Sequence, residues 1–162
     1  MDKRMLITWL KDAHVMETHS LPILRRRVGD ELQDPGARAR RESHVRETEH
    51  HAERLRQALR ALGSAPTPVL RPSEAVVTLT QDITSRVFSD RVVISAIADL
   101  AAEQFEVAAY TALIAAAEHA GETEVARLCR LNRGEDEDMA EWLDAQIPIV
   151  IAAAIGHAPA HR

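Results

Sequence analysis

The stretch LAAEQFEVAAYTALIAAA, residues 100–117, places Glu103 and Glu106 three positions apart inside an otherwise apolar run. At 100° per residue they lie about 60° and about 120° from Leu100, on one side of a helix that reads as apolar on nearly every face. A carboxylate without access to water costs several kcal/mol unless it is protonated, paired with a cation or bound to a metal. Polar residues enter an apolar stripe in three further places. Near the start, Glu17 falls within about 20° of Leu10, and His14 lies about 40° to the other side. In HVRETEHHAERL, residues 44–55, the literal Glu-x-x-His is Glu47 to His50. Helical geometry selects differently: with Thr48 inward, His44 lies near 40°, His51 near 60° and Glu47 near 100° on the same side, whereas His50 points about 160° away. In LCRLNRGEDEDMAEWL, residues 128–143, Glu135 and Asp136 both fall within about 60° of the stripe through Asn132, and Asp138 points outward. Whether Asp136 joins or replaces Glu135 stays open.

Hard oxygen donors combined with imidazole suit Fe(II), Mn(II) or Zn(II). Carboxylates from four helices with few histidines form the donor pattern of dinuclear carboxylate bundles, in which two divalent ions neutralise four acids. Tyr110, the single tyrosine, stands one turn beyond Glu106 on its face. It offers a phenol for hydrogen bonding or an electron, or else serves as a core aromatic with a satisfied hydroxyl.

The elements that must position these groups are helices almost throughout, because apolar residues return at three- and four-residue steps and no segment alternates like a strand. The first helix is expected from about Leu6 to Leu32, kinked at Pro22 because proline lacks an amide donor. The second runs from Asp34-Pro35 to about Leu62, with Asp34 as its cap and Gly63 closing it. The connection GSAPTPVLRPSEAVVTLTQDITSRVFSD, residues 63–90, holds three prolines and one short helix from about Ser73 to Phe88. The third helix spans about Arg91 to Ala120 and Gly121 breaks it. The fourth begins near Glu122 and continues to about Gln146, where Pro148 separates it from a short fifth helix. The order of short link, long crossover and short link is that of ferritin-like four-helix bundles. The expected class is all-α, with one domain over residues 1–162.

The formal net charge is −5 with interspersed signs, which gives little support to nucleic-acid binding despite the basic runs RRR at 25–27 and ARARR at 37–41. One cysteine, Cys129, excludes an internal disulfide and a cysteine-based zinc site and suits a reducing cytoplasm. The opening MDKRMLITWLKDAH lacks the apolar stretch of a secretory signal, and the Leu100 helix is too polar for an ordinary membrane span. The expectation is a soluble cytoplasmic protein that binds neither nucleic acid nor membrane.

WLKDAHVMETHSLPIL, HVRETEHHAERLRQALRALGSAP, EQFEVAAYTALIAAAEHAGE and EDEDMAEWL together resemble the ferritin-like stress-response proteins of the YciE/YciF type. The Glu-Thr of the second helix and the Glu-x-x-Glu-x-Ala-x-Tyr of the third are the more specific pieces. The resemblance implies a ferritin-like bundle with an extra C-terminal helix, a homodimer, and a rubrerythrin-like dinuclear site. By matching position the metal residues are His14, Glu17, His44, Glu47, His51, Glu103, Glu106 and Glu135. His14 stands where many relatives have Glu, and the fourth helix has Asp138 or Met139 in place of the His of the usual Glu-x-x-His. The implied cofactor is two divalent ions, iron first and manganese or zinc as alternatives. The implied chemistry is Fe(II) oxidation or peroxide reduction with O2 or peroxide as reactant, and Tyr110 as a catalytic phenol. The alternative is a non-catalytic metal-binding or structural stress-response dimer.

Overall fold

The computed structural model describes residues 3–30, 34–67 and 91–156. They form helices α1 (Lys3–Asp30), α2 (Pro35–Ala61), α3 (Arg91–His119) and α4 (Thr123–Gly156), and the described residues contain no strand. The short helix expected over 73–88 lies outside the described residues, as does most of the crossover that would contain it.

Local chemistry sets the ends. Asp34 is extended, and its Oδ1 accepts from the amides of Gly36 at 2.8 Å and Ala37 at 3.1 Å, so two of the orphan donors at the start of α2 are satisfied. At the other end Gly63 takes φ +70°, its amide donates to the Arg60 carbonyl at 3.0 Å, and Ser64 N–H reaches the Leu59 carbonyl at 2.9 Å. Gly121, at φ +74°, repeats that pattern after α3, with its amide on Glu118 and that of Glu122 on Ala117. Both are Schellman closures, in which the left-handed residue is most easily glycine.

α1 is continuous through Pro22, and α4 is continuous through Pro148 as far as Gly156. The expected separate fifth helix is therefore part of α4. Pro148 removes the donor to the Asp144 carbonyl, but both residues are exposed, so water can take that acceptor and the helix need not end.

The described residues fall into two compact units. The described residues of the first are 3–30, 34–67 and 108–135, which hold α1, α2, about the last two-fifths of α3 and about the first two-fifths of α4. Within it α1 and α2 run antiparallel, with Glu17 opposite His51 and Arg25 opposite Glu49. The segments of α3 and α4 also run antiparallel, with Glu118 on Arg130 and Tyr110 on Asn132. The four helical segments enclose one apolar core that includes Leu6, Leu10, Leu55, Leu59, Leu113, Val125 and Leu128. Each such side chain contributes about 1.5–3 kcal/mol by leaving water, which is what holds the polar residues of the same stripes in place.

The described residues of the second unit are 91–107 and 136–156. Of its described residues, Val93, Met139, Ala140 and Leu143 are buried apolar positions. The Leu100 helix is not buried on every side: Phe105 is 49% exposed, and Ala102, Ala108, Ala112 and Ala115 lie on the same outer side. Alanine exposes so little area that periodicity overstates the burial of an alanine-rich helix. Among the described helices α4 alone is long and apolar enough to cross a membrane by length and composition. Its apolar C-terminal half is mostly exposed and contains Glu141 and Asp144.

Candidate metal centre

In the first unit the stripe that begins with Leu6, Leu10 and Ala13 on α1 continues into Glu17, which is fully buried. α2 places His44, Thr48 and His51 on its inward face and leaves His50 exposed, as the 100° rotation requires. Thr48 disposes of its hydroxyl on the His44 carbonyl at 3.0 Å. α3 supplies Tyr110 and α4 supplies Asn132, both with no exposure.

These side chains meet. The Tyr110 hydroxyl donates to Glu17 Oε1 and accepts from Asn132 Nδ2 at 2.8 Å. The His51 ring stands edge-on to Tyr110, with centroids 6.1 Å apart. Its Nδ1 lies 3.5 Å from Glu17 Oε2 and its Nε2 lies 2.8 Å from Glu135 Oε2. Arg54, one turn beyond His51, grips both Glu135 oxygens at 2.6 and 2.9 Å and also donates to Asn132 Oδ1 at 3.0 Å.

Electrostatics divides the acids. Burial alone would raise the Glu135 carboxyl, but the bonds from His51 and Arg54 outweigh it and hold it at about 2. Glu47 follows the same pattern: burial opposes ionisation, and His44 at 3.2 Å, Arg40 and Ser43 bring it to about 2. Both are committed to cations and partly exposed. Glu17 differs, because its Oε2 accepts no hydrogen bond. His14 is buried with neither ring nitrogen hydrogen-bonded. Burial, with Arg56 nearby, lowers its pKa against the opposing pull of Glu17 and Glu53.

In the second unit Glu103, Glu106 and Asp136 are all buried, and ligand oxygens of Glu103 and Asp136 lie within 4.8 Å of one another. Asp136 follows Glu135 in sequence, yet Asp136 is fully buried while the Glu135 side chain is about one-third exposed.

Of the residues expected from sequence, the structure joins Glu17, His51, Glu135 and Tyr110 in one network, pairs His44 with Glu47, and buries Glu103 and Glu106. His14 is buried but hydrogen-bonded to none of them. Arg54 was not anticipated; its signal is the three-residue step from His51, matched by the three-residue step from Asn132 to Glu135. Asn132 was placed on the inward stripe without a polar role.

The donor set fits a divalent cation. Glu17 Oε2 is a buried carboxylate oxygen without a hydrogen bond, it faces an imidazole nitrogen, and oxygen with imidazole is the donor chemistry of Fe(II), Mn(II) and Zn(II).

Residues 2–155 match the family described as Domain of unknown function (DUF892). The chain belongs to that family. It is the YciE/YciF type that its helix motifs resemble. The chain is similar in structure to a protein of Xanthomonas campestris pv. campestris, with a TM-score of 0.80 and 26% identity over 96% of this chain and 97% of that one. YcfI of Rhodopseudomonas palustris matches with a TM-score of 0.73 and 24% identity, over 89% of this chain and 93% of its own. The E. coli stress protein YciF matches with a TM-score of 0.73 and 17% identity, over 94% and 99%. At these identities YcfI and YciF share the fold with this DUF892 chain.

Proposed function

We propose that this DUF892 protein is a ferritin-like dinuclear metal protein, most simply a di-iron one, that oxidises Fe(II) or reduces peroxide in stress protection. The observation that carries the reading is Glu17, a fully buried carboxylate whose Oε2 accepts no hydrogen bond and faces Nδ1 of the buried His51 at 3.5 Å. A buried carboxylate oxygen left so calls for a proton or a bound cation, and a divalent ion meets that need with the oxygen and imidazole donors present. In this reading Glu17, His44 and His51 are the candidate donors of the first unit, and Glu103, Glu106 and Asp136 are those of the second. The name of YciF, a stress protein of the same fold, supports the physiological setting. A soluble cytoplasmic homodimer is part of the same proposal.

When bound, such ions supply Lewis acidity and, for iron, one-electron chemistry toward O2 or peroxide. The chain's own contribution is positional. Glu17 is held by the Tyr110 hydroxyl through one oxygen and keeps the other for a cation. The phenol has an outlet for its proton on Glu17, and Asn132 fixes the direction in which that proton points. Ala13 and Leu10, one and two turns before Glu17 on the same stripe and both buried, keep water from that side of the carboxylate.

Elemental analysis of protein purified without added metal, paired with Fe(II) oxidation and peroxide consumption, tests this. About two ions per chain are expected, with rates that fall in a Glu17→Ala, Glu103→Ala double variant. Equal rates would remove the enzymatic reading. The structural alternative has its own support, since His51 already lies between Glu17 and Glu135 in an ion-pair network that Arg54 completes. It predicts a melting temperature that chelator leaves unchanged, whereas a structural metal would make it fall.

A further inference from the structure

Glu135 and Glu17 both approach His51, but they are built differently. Each Glu135 oxygen receives a guanidinium N–H from Arg54, at 2.6 and 2.9 Å, and Oε2 receives His51 Nε2 as well, at 2.8 Å. Ligating a metal through Glu135 would break charge-assisted bonds of the strong, bidentate kind. Glu17 Oε2 accepts no hydrogen bond and lies 3.5 Å from Nδ1, the other ring nitrogen. Arg54 reaches further: it donates to Asn132 Oδ1 at 3.0 Å, which turns the amide so that Nδ2 donates to the Tyr110 oxygen and the Tyr110 proton is left for Glu17.

We infer that Glu135 and Arg54 form a positioning clamp, in which Glu135 holds the Nε2 proton of His51 so that Nδ1 faces the Glu17 side as the metal-ligating nitrogen. The inference rests on the metal reading above for its last step only. A ring nitrogen that must donate to a carboxylate fixes the tautomer, and the other nitrogen keeps its lone pair. Glu135 thus acts through His51 and is not itself a ligand. Arg54 aligns two of the groups around Glu17 at once, His51 by way of Glu135 and Tyr110 by way of Asn132.

Two measurements on the full chain test this. In metal-free protein, long-range proton–nitrogen NMR of the imidazoles, with His51 assigned by His51→Gln, should show a slowly exchanging Nε2–H. That proton should exchange rapidly in Glu135→Ala. A wild-type His51 whose Nε2 carries no proton, or a protected Nε2–H that survives Glu135→Ala, overturns the clamp. Calorimetric titration with Co(II) should show about 10–100-fold weaker binding in Glu135→Gln and Arg54→Met, with the number of ions unchanged, as for other outer-shell partners. Loss of an ion in the near-isosteric Glu135→Gln, with its circular dichroism intact, would make Glu135 a ligand and overturn the inference. If wild-type protein binds no Co(II), the metal reading falls, and the NMR result alone then supports or overturns the hold of Glu135 on His51.

Discussion

Replacing Tyr110 by Phe removes one oxygen from a site with no exposure and leaves two partners to be accounted for. Glu17 Oε1 loses its phenol donor, and no water can take that place without a cavity to hold it. A hydrogen bond to a charged group is worth about 1.5–3 kcal/mol. Asn132 Nδ2 loses its 2.8 Å acceptor but keeps the His51 carbonyl at 3.3 Å, so its share is smaller, about 0.5–1 kcal/mol. The sum is about 2–4 kcal/mol, which for a domain of this size lowers the melting temperature by roughly 5–15 °C. Urea unfolding of metal-free protein at neutral pH should show the midpoint moving with the slope unchanged. Arg25→Ala, which removes an exposed pair with Glu49, should cost no more than about 1 kcal/mol and serves as the control. A loss below about 0.5 kcal/mol in Tyr110→Phe would refute the reasoning, because it would mean that Glu17 does not depend on the phenol. With metal bound, the carboxylate has a second source of stabilisation, so the same substitution should cost less.

Stability should fall on acidification. Glu47 and Glu135 have folded values near 2 against an ordinary 4.5, so their contribution is complete above pH 4.5 and is lost as pH falls toward 2. The full linkage is about 3 kcal/mol each, reduced to about 1–2 for side chains a quarter to a third exposed. His14, with its pKa lowered, adds a loss that begins below about 6.5, where the unfolded chain takes the proton first; a melting temperature flat from pH 7 to 3 would contradict all three. Gly134 lies inside α4, and a Cβ there meets nothing within 4 Å, so Gly134→Ala should stabilise by about 0.5–1 kcal/mol in the same urea assay. Burial pushes the Cys129 thiol up to about 12, so an aromatic disulfide reagent at pH 8 should modify it only at the rate of unfolding; rapid reaction of native protein would show that its surroundings open.

What sequence made legible was the chemistry that near neighbours decide. Asp34-Pro35 and Gly63 marked the ends of α2 because a cap and a left-handed closure involve residues within one turn. His51 was separable from His50 because 100° of rotation turns one inward and the other out. Pro148 misled for the converse reason: the rule that proline ends a helix assumes an orphaned carbonyl, and at an exposed turn water removes the assumption.

Glu135 and Asp136 show where such reasoning stops. They are adjacent, both within about 60° of the inward direction, and no periodicity can rank them. The difference comes from α2, where Arg54, 81 positions away from Glu135, captures that carboxylate and draws it toward the partly exposed edge. Asp136, one residue on, is fully buried. Glu47 repeats the lesson on its own helix, because Arg40 and Ser43 commit it before any metal does. An inward angle selects which acids approach the core, and a cation already in reach decides which of them remain available as ligands. By that criterion Glu17 stands apart in the first unit. It is an acid at the centre of the apolar stripe whose second oxygen accepts no hydrogen bond, and it is the residue on which removal of metal should tell most.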